Sequence, residues 1–195
     1  MNKKDIIKEF KDSGAMLEGH FILSSGLHSS TYLQCARVMM DPKRSKKLCE
    51  ALTNKIYDNI GKDAIDLVVS PAMGGILVGY ELGRQMNLPS IFTERVNNIF
   101  ELRRGFEIYP GARVLIAEDI ITTGKSSLEC INCIKGYGAH IVGISCLIDR
   151  SDKKIDLDYP IFSLTSLSIP SYSSDNLPEK MKRIKPIKPG SRGLE

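Results

Sequence analysis

The sequence predicts an α/β protein built on a doubly wound, mostly parallel sheet. Short apolar runs bounded by polar residues recur at 67–70, 90–93, 114–117, 141–147 and 160–164, as expected of strands covered on both faces. Helical apolar spacing fills the intervals at 42–59, 76–86 and 125–137. Strands alternating with helices imply parallel pairing through crossovers. Two further helices are expected near the ends, Lys3–Asp12 and 178–183. At 195 residues the chain can bury about 70% of its unfolded surface and is read as a single domain, 1–195.

Each element leads into a segment that could carry chemistry. The strand at 67–70 runs into Pro71-Ala-Met-Gly-Gly75, where two glycines let backbone N–H groups approach a ligand, and the helix at 76–86 follows. After the strand at 90–93, residues 94–110 are polar, with Asn97-Asn98 at the centre and Arg95, Arg103 and Arg104 around it. A long segment of this kind is more often functional than idle. Arginine forks suit a pyrophosphate, because they pair with phosphate oxygens bidentately and stay charged. The alternative is a solvated hairpin with Glu101 pairing the arginines.

The strand at 114–117 is expected to end at two carboxylates, Glu118 and Asp119. Ile120-Ile-Thr-Thr-Gly124-Lys-Ser126 then opens the helix that carries Leu128, Ile131 and Ile134. A strand, a tight turn and a helix N-terminus make an anion site. Gly124-Lys125-Ser126 suggests a P-loop, yet that motif needs a glycine five residues earlier, where Asp119 stands. A carboxylate about 4 Å from a phosphate oxygen would cost roughly 4 kcal/mol at an effective dielectric of 20. The acidic pair must face sugar hydroxyls, a magnesium ion or a cationic reaction centre instead. The apolar run from Ile141 ends at Asp149-Arg150, again polar residues at a strand end.

The pattern of strand, acidic pair, Thr-Thr-Gly turn and helix resembles the phosphoribosyl-diphosphate (PRPP) motif of type I phosphoribosyltransferases. Glu18-Gly-His-Phe-Ile-Leu-Ser-Ser-Gly26 with Ser29-Ser-Thr-Tyr-Leu-Gln34, Ser70-Pro-Ala-Met-Gly-Gly75, Phe92-Thr-Glu-Arg95 with Leu102-Arg-Arg-Gly-Phe106, and Ile187-Lys-Pro-Gly-Ser-Arg-Gly193 are similar to segments of orotate phosphoribosyltransferases. The last two of these, 92–95 with 102–106 and the segment 187–193, resemble a short-loop bacterial group.

The resemblance implies transfer of ribose 5-phosphate from PRPP to orotate, with release of pyrophosphate, in pyrimidine biosynthesis. It assigns Glu118 and Asp119 as catalytic. PRPP falls to Glu118, Asp119, Ile120, Ile121, Thr122, Thr123, Gly124, Lys125 and Ser126, with Arg95, Arg103 and Arg104. Orotate falls to Thr122, Arg150, Tyr32 and Leu33. It also implies Mg2+ held largely by substrate and water rather than by direct protein ligands, a homodimer, and a small hood from the N- and C-terminal segments over the base. Ser24 and Gly74 stand where long-loop members carry lysines, and Lys125 replaces a commoner glycine.

Composition excludes other classes. The net charge of +4 is carried by residues 180–195, where Lys180, Lys182, Arg183, Lys185, Lys188 and Arg192 are opposed by Glu195. Without interleaved aromatics for stacking on bases this reads as a solvated end, not a nucleic-acid surface. No apolar stretch approaches the ~20 residues of a membrane span, and Met1 to Phe10 lacks the apolar core of a signal peptide. Cys130-x-x-Cys133 sits within a helix and has no second pair, so zinc is disfavoured. Five cysteines fit thiols in a reducing cytoplasm. A phosphoribosyltransferase acting on a purine and a PRPP-sensing regulator that uses the basic tail on nucleic acid are the rival readings.

Overall fold

The computed structural model describes residues 1–23, 25–151 and 157–189. Ser24 and the tail residues 190–195, Arg192 among them, lie outside it. In chain order the elements are α1 (Lys3–Asp12), β1 (Met16–Ile22), β2 (His28–Leu33), α2 (Cys35–Met39), α3 (Pro42–Ile60), β3 (Leu67–Pro71), α4 (Gly75–Met86), β4 (Ser90–Val96), β5 (Ile99–Leu102), β6 (Arg113–Ile121), α5 (Lys125–Lys135), β7 (His140–Asp149), β8 (Ile161–Ser166), β9 (Ser171–Tyr172) and α6 (Glu179–Lys182).

The central sheet has the order β5-β4-β3-β6-β7-β8. All neighbours are parallel except β5, which folds back antiparallel on β4. Alternation along β6 feeds two cores. Leu115 and Ala117 join Leu48, Leu52, Ile56, Val78 and Leu82 of α3 and α4, whereas Val114 and Ile116 join Cys130, Ile131 and Ile134 of α5. The chain therefore winds on both faces. Strand order reverses between β3 and β6, and at such a switch point the loops leaving the two strands part and open a crevice. That crevice holds the turns at 71–75 and 122–126.

Local signals explain the helix limits. Asn2 caps α1 through Asp5 N–H at 3.0 Å, and Asp41 accepts from Lys43 and Arg44 N–H ahead of Pro42 at the start of α3. Tight packing of β7 on β8 places Gly143 where an added Cβ would lie 2.4 Å from a Phe162 ring carbon. Gly143→Ala is expected to cost about 1–3 kcal/mol through overpacking. A thermal scan with unchanged Tm would count against this.

Three expectations need correcting. β6 does not end at the acidic pair: it continues to Ile121, because β7 extends to Asp149 and supplies the partners Ile148 and Asp149 for Ile120 and Ile121. Residues 94–110 are not one exposed loop. Asn97 and Asn98 both have positive φ (50° and 68°), as in a type I′ turn, and this closes the β4–β5 hairpin. β1, β2, β9 and α2 were not anticipated. The first three form a separate antiparallel sheet, which is the N- and C-terminal hood.

Candidate active site

Two strand-to-helix turns meet at the switch point. Gly124 at the start of α5 adopts φ 72°, ψ 2°, a left-handed conformation suited to glycine. Its carbonyl accepts from Leu128 N–H at 2.9 Å. The next N–H groups are those a helix leaves without intrahelical partners. Thr122, Thr123, Lys125 and Ser126 are exposed around them. The second turn, Pro71 to Gly75, has its Met73 side chain in solvent and a cis Ala72–Met73 peptide.

Strand pleating sends the two carboxylates to different faces. Glu118 is 6% exposed and lies beside Ser127, Cys130 and Arg95. Asp119 lies on the other face: an added Cβ on Gly74 would be 2.8 Å from its Oδ1 and 2.9 Å from its Oδ2. Ile120 N–H donates to Asp119 Oδ1 at 2.8 Å. Burial holds Glu118 well above the usual carboxylate range, with the Asp119 charge adding and Arg95 and Ser127 opposing. Asp119 is raised too, chiefly by burial. The nearby ion pairs are Arg95–Glu129, Lys125–Glu129 and Arg104–Glu94, so none of these cations is committed to the acidic pair.

A carboxylate raised by burial destabilises the fold when ionised. Its stabilising contribution is complete below the unfolded value of about 4.3 and is lost as pH rises through the higher folded value. Glu118→Gln is therefore expected to raise Tm at neutral pH, with the gain shrinking as the solution is acidified. Thermal scans of both proteins across this range test it; a gain that grows on acidification would contradict the assignment.

The hairpin arginines differ from one another. Arg95 stacks over Phe100 at 4.1 Å, donates to Asn98 O at 3.0 Å and pairs with Glu129 of α5. Arg104 forms a two-pronged pair with Glu94, and Arg103 is exposed. Glu129 and Glu94 thus hold Arg95 and Arg104, not the Glu101 of the solvated-hairpin alternative. Tyr32 reaches the site from the hood. Burial raises its phenol, Asp119 adds to the shift and Arg150 opposes it. Arg150 N–H donates to Ile121 O at 2.8 Å, which ties the end of β7 to the end of β6. Leu33 is 4% exposed within the main core; alternation along β2 turns it away from Tyr32, and it lines no open slot.

Ser127 and Glu129 enter the site without having been assigned to it from sequence, and Gly74, read there only as part of a ligand turn, also abuts Asp119. Glu129, four residues after Lys125 on α5, was readable from helical spacing; the contacts of the other two exist only once strands are paired. The five cysteines are free, and burial pushes the Cys130 thiol up to about 12, outside the range of a reactive thiolate. Among the described residues no group of three or more His, Cys, Asp or Glu could hold a metal ion, and no helix is long and apolar enough to cross a membrane.

Paired turns at a switch point, one preceded by an acidic pair on β6, suit a ligand with two anionic groups and hydroxyls between them. The sequence matches the phosphoribosyl transferase domain family over residues 40–176. It is 48% identical over 194 residues to the orotate phosphoribosyltransferase of Maricaulis maris, covering 100% of both chains. A crystal structure of orotate phosphoribosyltransferase from Aeropyrum pernix superposes with a TM-score of 0.68 at 23% identity, covering 83% of this chain and 93% of that one. Adenine phosphoribosyltransferase from Saccharomyces cerevisiae gives 0.65 at 18% identity, over 83% and 99%. The fold is therefore shared by enzymes acting on different bases, and it is the full-length identity that discriminates between them. The chain belongs to the phosphoribosyltransferase family and, within it, to the orotate phosphoribosyltransferases.

Proposed function

We propose that this single-domain protein transfers the ribose 5-phosphate of PRPP to orotate, forming orotidine 5′-monophosphate and pyrophosphate. The observation that carries the reading is the end-to-end identity with orotate phosphoribosyltransferases in a chain whose two anion turns flank an acidic pair. Displacement at the anomeric carbon develops positive charge on the ribose. Catalysis is then mainly a matter of positioning and fixed charge.

The Thr122 to Ser126 turn would take the 5-phosphate on backbone N–H groups and hydroxyls. Glu118 and Asp119 would accept from the ribose hydroxyls, with Asp119 also bordering the 71–75 turn that takes the pyrophosphate. Arg95, Arg103 and Arg104 would neutralise the leaving group. Arg95 and Arg104 must first exchange a protein carboxylate for a phosphate, a trade between partners of like charge. Tyr32, Thr122 and Arg150 would hold orotate, with Arg150 on its carboxylate. Magnesium would be held largely by substrate oxygens and water, as is usual for this ion, and would neutralise charge on the pyrophosphate beside Glu118 and Asp119.

A homodimer fits the outer face of α4. Leu77 and Tyr80 there are 46% and 64% exposed, and Met73 in the adjoining 71–75 turn is 80% exposed, which together leave apolar surface in solvent. Five free thiols fit a reducing cytoplasm.

The test is the fall in orotate absorbance on mixing enzyme, PRPP, magnesium and orotate, with adenine, hypoxanthine and uracil in parallel. Loss of orotate that requires every component is the expected result. Turnover of a purine in its place would overturn the assignment of the base.

A further inference from the structure

His20 and His28 have no role in the chemistry above, yet they form a hydrogen-bonded pair with His20 buried and His28 half-buried. His20 is 3% exposed and uses both ring nitrogens: Nδ1 lies 2.9 Å from Ile184 O, and Nε2 lies 2.7 Å from His28 Nδ1. A carbonyl only accepts, so His20 Nδ1 carries a proton. In the neutral ring Nε2 then accepts, and His28 Nδ1–H donates to it. The network therefore selects one tautomer of each ring.

Ile184 belongs to the segment that follows α6. Three residues on, Ile187 N–H donates to His20 O and Ile22 N–H donates to Ile187 O, both at 2.8 Å, with Phe21 and Ile187 as a parallel bridge. A single parallel bridge thus ties the C-terminal segment to the free edge of β1. Apolar burial does not hold it there, since Ile184 is 45% exposed and Ile187 58%. Charge does not hold it either. Lys180, Lys182, Arg183, Lys185 and Lys188 repel one another, and the neighbouring ion pair is Lys182 with Glu179, within α6. The backbone ladder and the His20 bond remain. His20 is the buried member, where an unmade hydrogen bond is costly.

The strand that receives this segment faces the base site. Phe21, bridged to Ile187, is 5% exposed, and its ring lies 5.7 Å from that of Tyr32. Tyr32 in turn lies within electrostatic reach of Asp119 and Arg150. We propose that His20, oriented by His28, is a positioning residue for the base: it latches residues 184–187 onto β1 and so holds Phe21 against Tyr32. The role of Tyr32 rests on the orotate reading; the latch itself does not.

The experiment compares wild type with His20→Gln, Ile187→Pro and a chain ending at Arg183. Ile187→Pro removes the N–H that bonds His20 O and leaves both histidines in place, so the latch can be tested even if His20→Gln fails to fold. KM for orotate is expected to rise roughly tenfold, as for a lost supporting residue that places a contacting one, while KM for PRPP stays unchanged. A purely structural role would lower the yield of active enzyme and move neither KM. Amide exchange supplies the second readout. Ile22 N–H should be protected in wild type and exchange quickly in all three variants, and Ile187 N–H should do the same in His20→Gln. Continued protection in His20→Gln would overturn the latch, and lost protection with an unmoved orotate KM would overturn its link to the base. If wild type consumed no orotate, the proposed reaction would fall, while the exchange data would still decide the latch.

Discussion

Asp119→Asn is expected to lower kcat by about two to three orders of magnitude without lowering stability. The substitution keeps the shape and the bond from Ile120 N–H and removes one negative charge from the edge of the ribose site. A unit charge about 4 Å from a developing cation contributes roughly 4 kcal/mol at an effective dielectric of 20, or close to a thousandfold in rate. Folding responds in the opposite direction. Burial already disfavours the Asp119 charge, so a neutral side chain relieves a cost, and Tm should hold or rise. Orotate turnover and a thermal scan on the same sample decide the matter. Turnover near that of wild type would remove Asp119 from the mechanism, and a large fall in Tm would make it a structural residue.

Gly74→Ala is expected to reduce kcat/KM by about 10- to 100-fold through the same carboxylate. A Cβ at this position would stand 2.8, 2.9 and 3.0 Å from Asp119 Oδ1, Oδ2 and Cγ, nearer than unstrained contact permits. The carboxylate must shift by a few tenths of an ångström or more, and a misplacement of about 1 Å costs on the order of 100-fold. The fold should tolerate the change, because Gly74 is exposed and has the helical φ of −58°. Adding Gly74→Ala to Asp119→Asn makes the discriminating double mutant: if the methyl acts through Asp119, its effect shrinks in that background. Equal effects in both backgrounds would refute the coupling. The same geometry shows why a lysine cannot occupy position 74 with Asp119 where it lies.

The central sheet was legible because its signals are local. β3, β6 and β7 are apolar runs, α3 opens on the Asp41 cap, and α3, α4 and α5 carry apolar stripes, so the expected limits agree within a few residues. The hood was expected from the resemblance, but its strands were not legible. β2, His28-Ser-Ser-Thr-Tyr-Leu33, is mostly polar, and β1 carries Gly19 and an irregular register between Glu18 and Phe21, so neither shows clean alternation. Their pairing with each other and with β9 supplies what composition withheld. The length of β6 was misjudged for a related reason. Glu118 and Asp119 look like the end of a strand, but β7 continues beside them and pairing overrides side-chain polarity.

Within the site, the Thr-Thr-Gly turn, the acidic pair, Arg95 and Arg150 could be placed from sequence because each sits at the end of a recognisable strand or motif. What could not be read is which charges meet. Glu129 and Glu94, not Glu101, hold the arginines, since those contacts join segments 34 and 10 residues apart. Leu33 shows the opposite limit: position in a motif suggested a ligand wall, and one step of pleat put the side chain in the core.

The two anion turns leave neighbouring strands, β3 and β6, whose register is Leu67 to Val114, Val68 to Leu115 and Val69 to Ile116. The sheet therefore acts as a ruler. Adjacent strands lie about 4.8 Å apart, a rung that no side-chain substitution stretches, so the span between the anchors is built into the backbone ladder. On the proposed reading PRPP, with a phosphate at one end of the sugar and a diphosphate at the other, would grip both marks of that ruler, whereas after transfer neither the nucleotide nor pyrophosphate would span them.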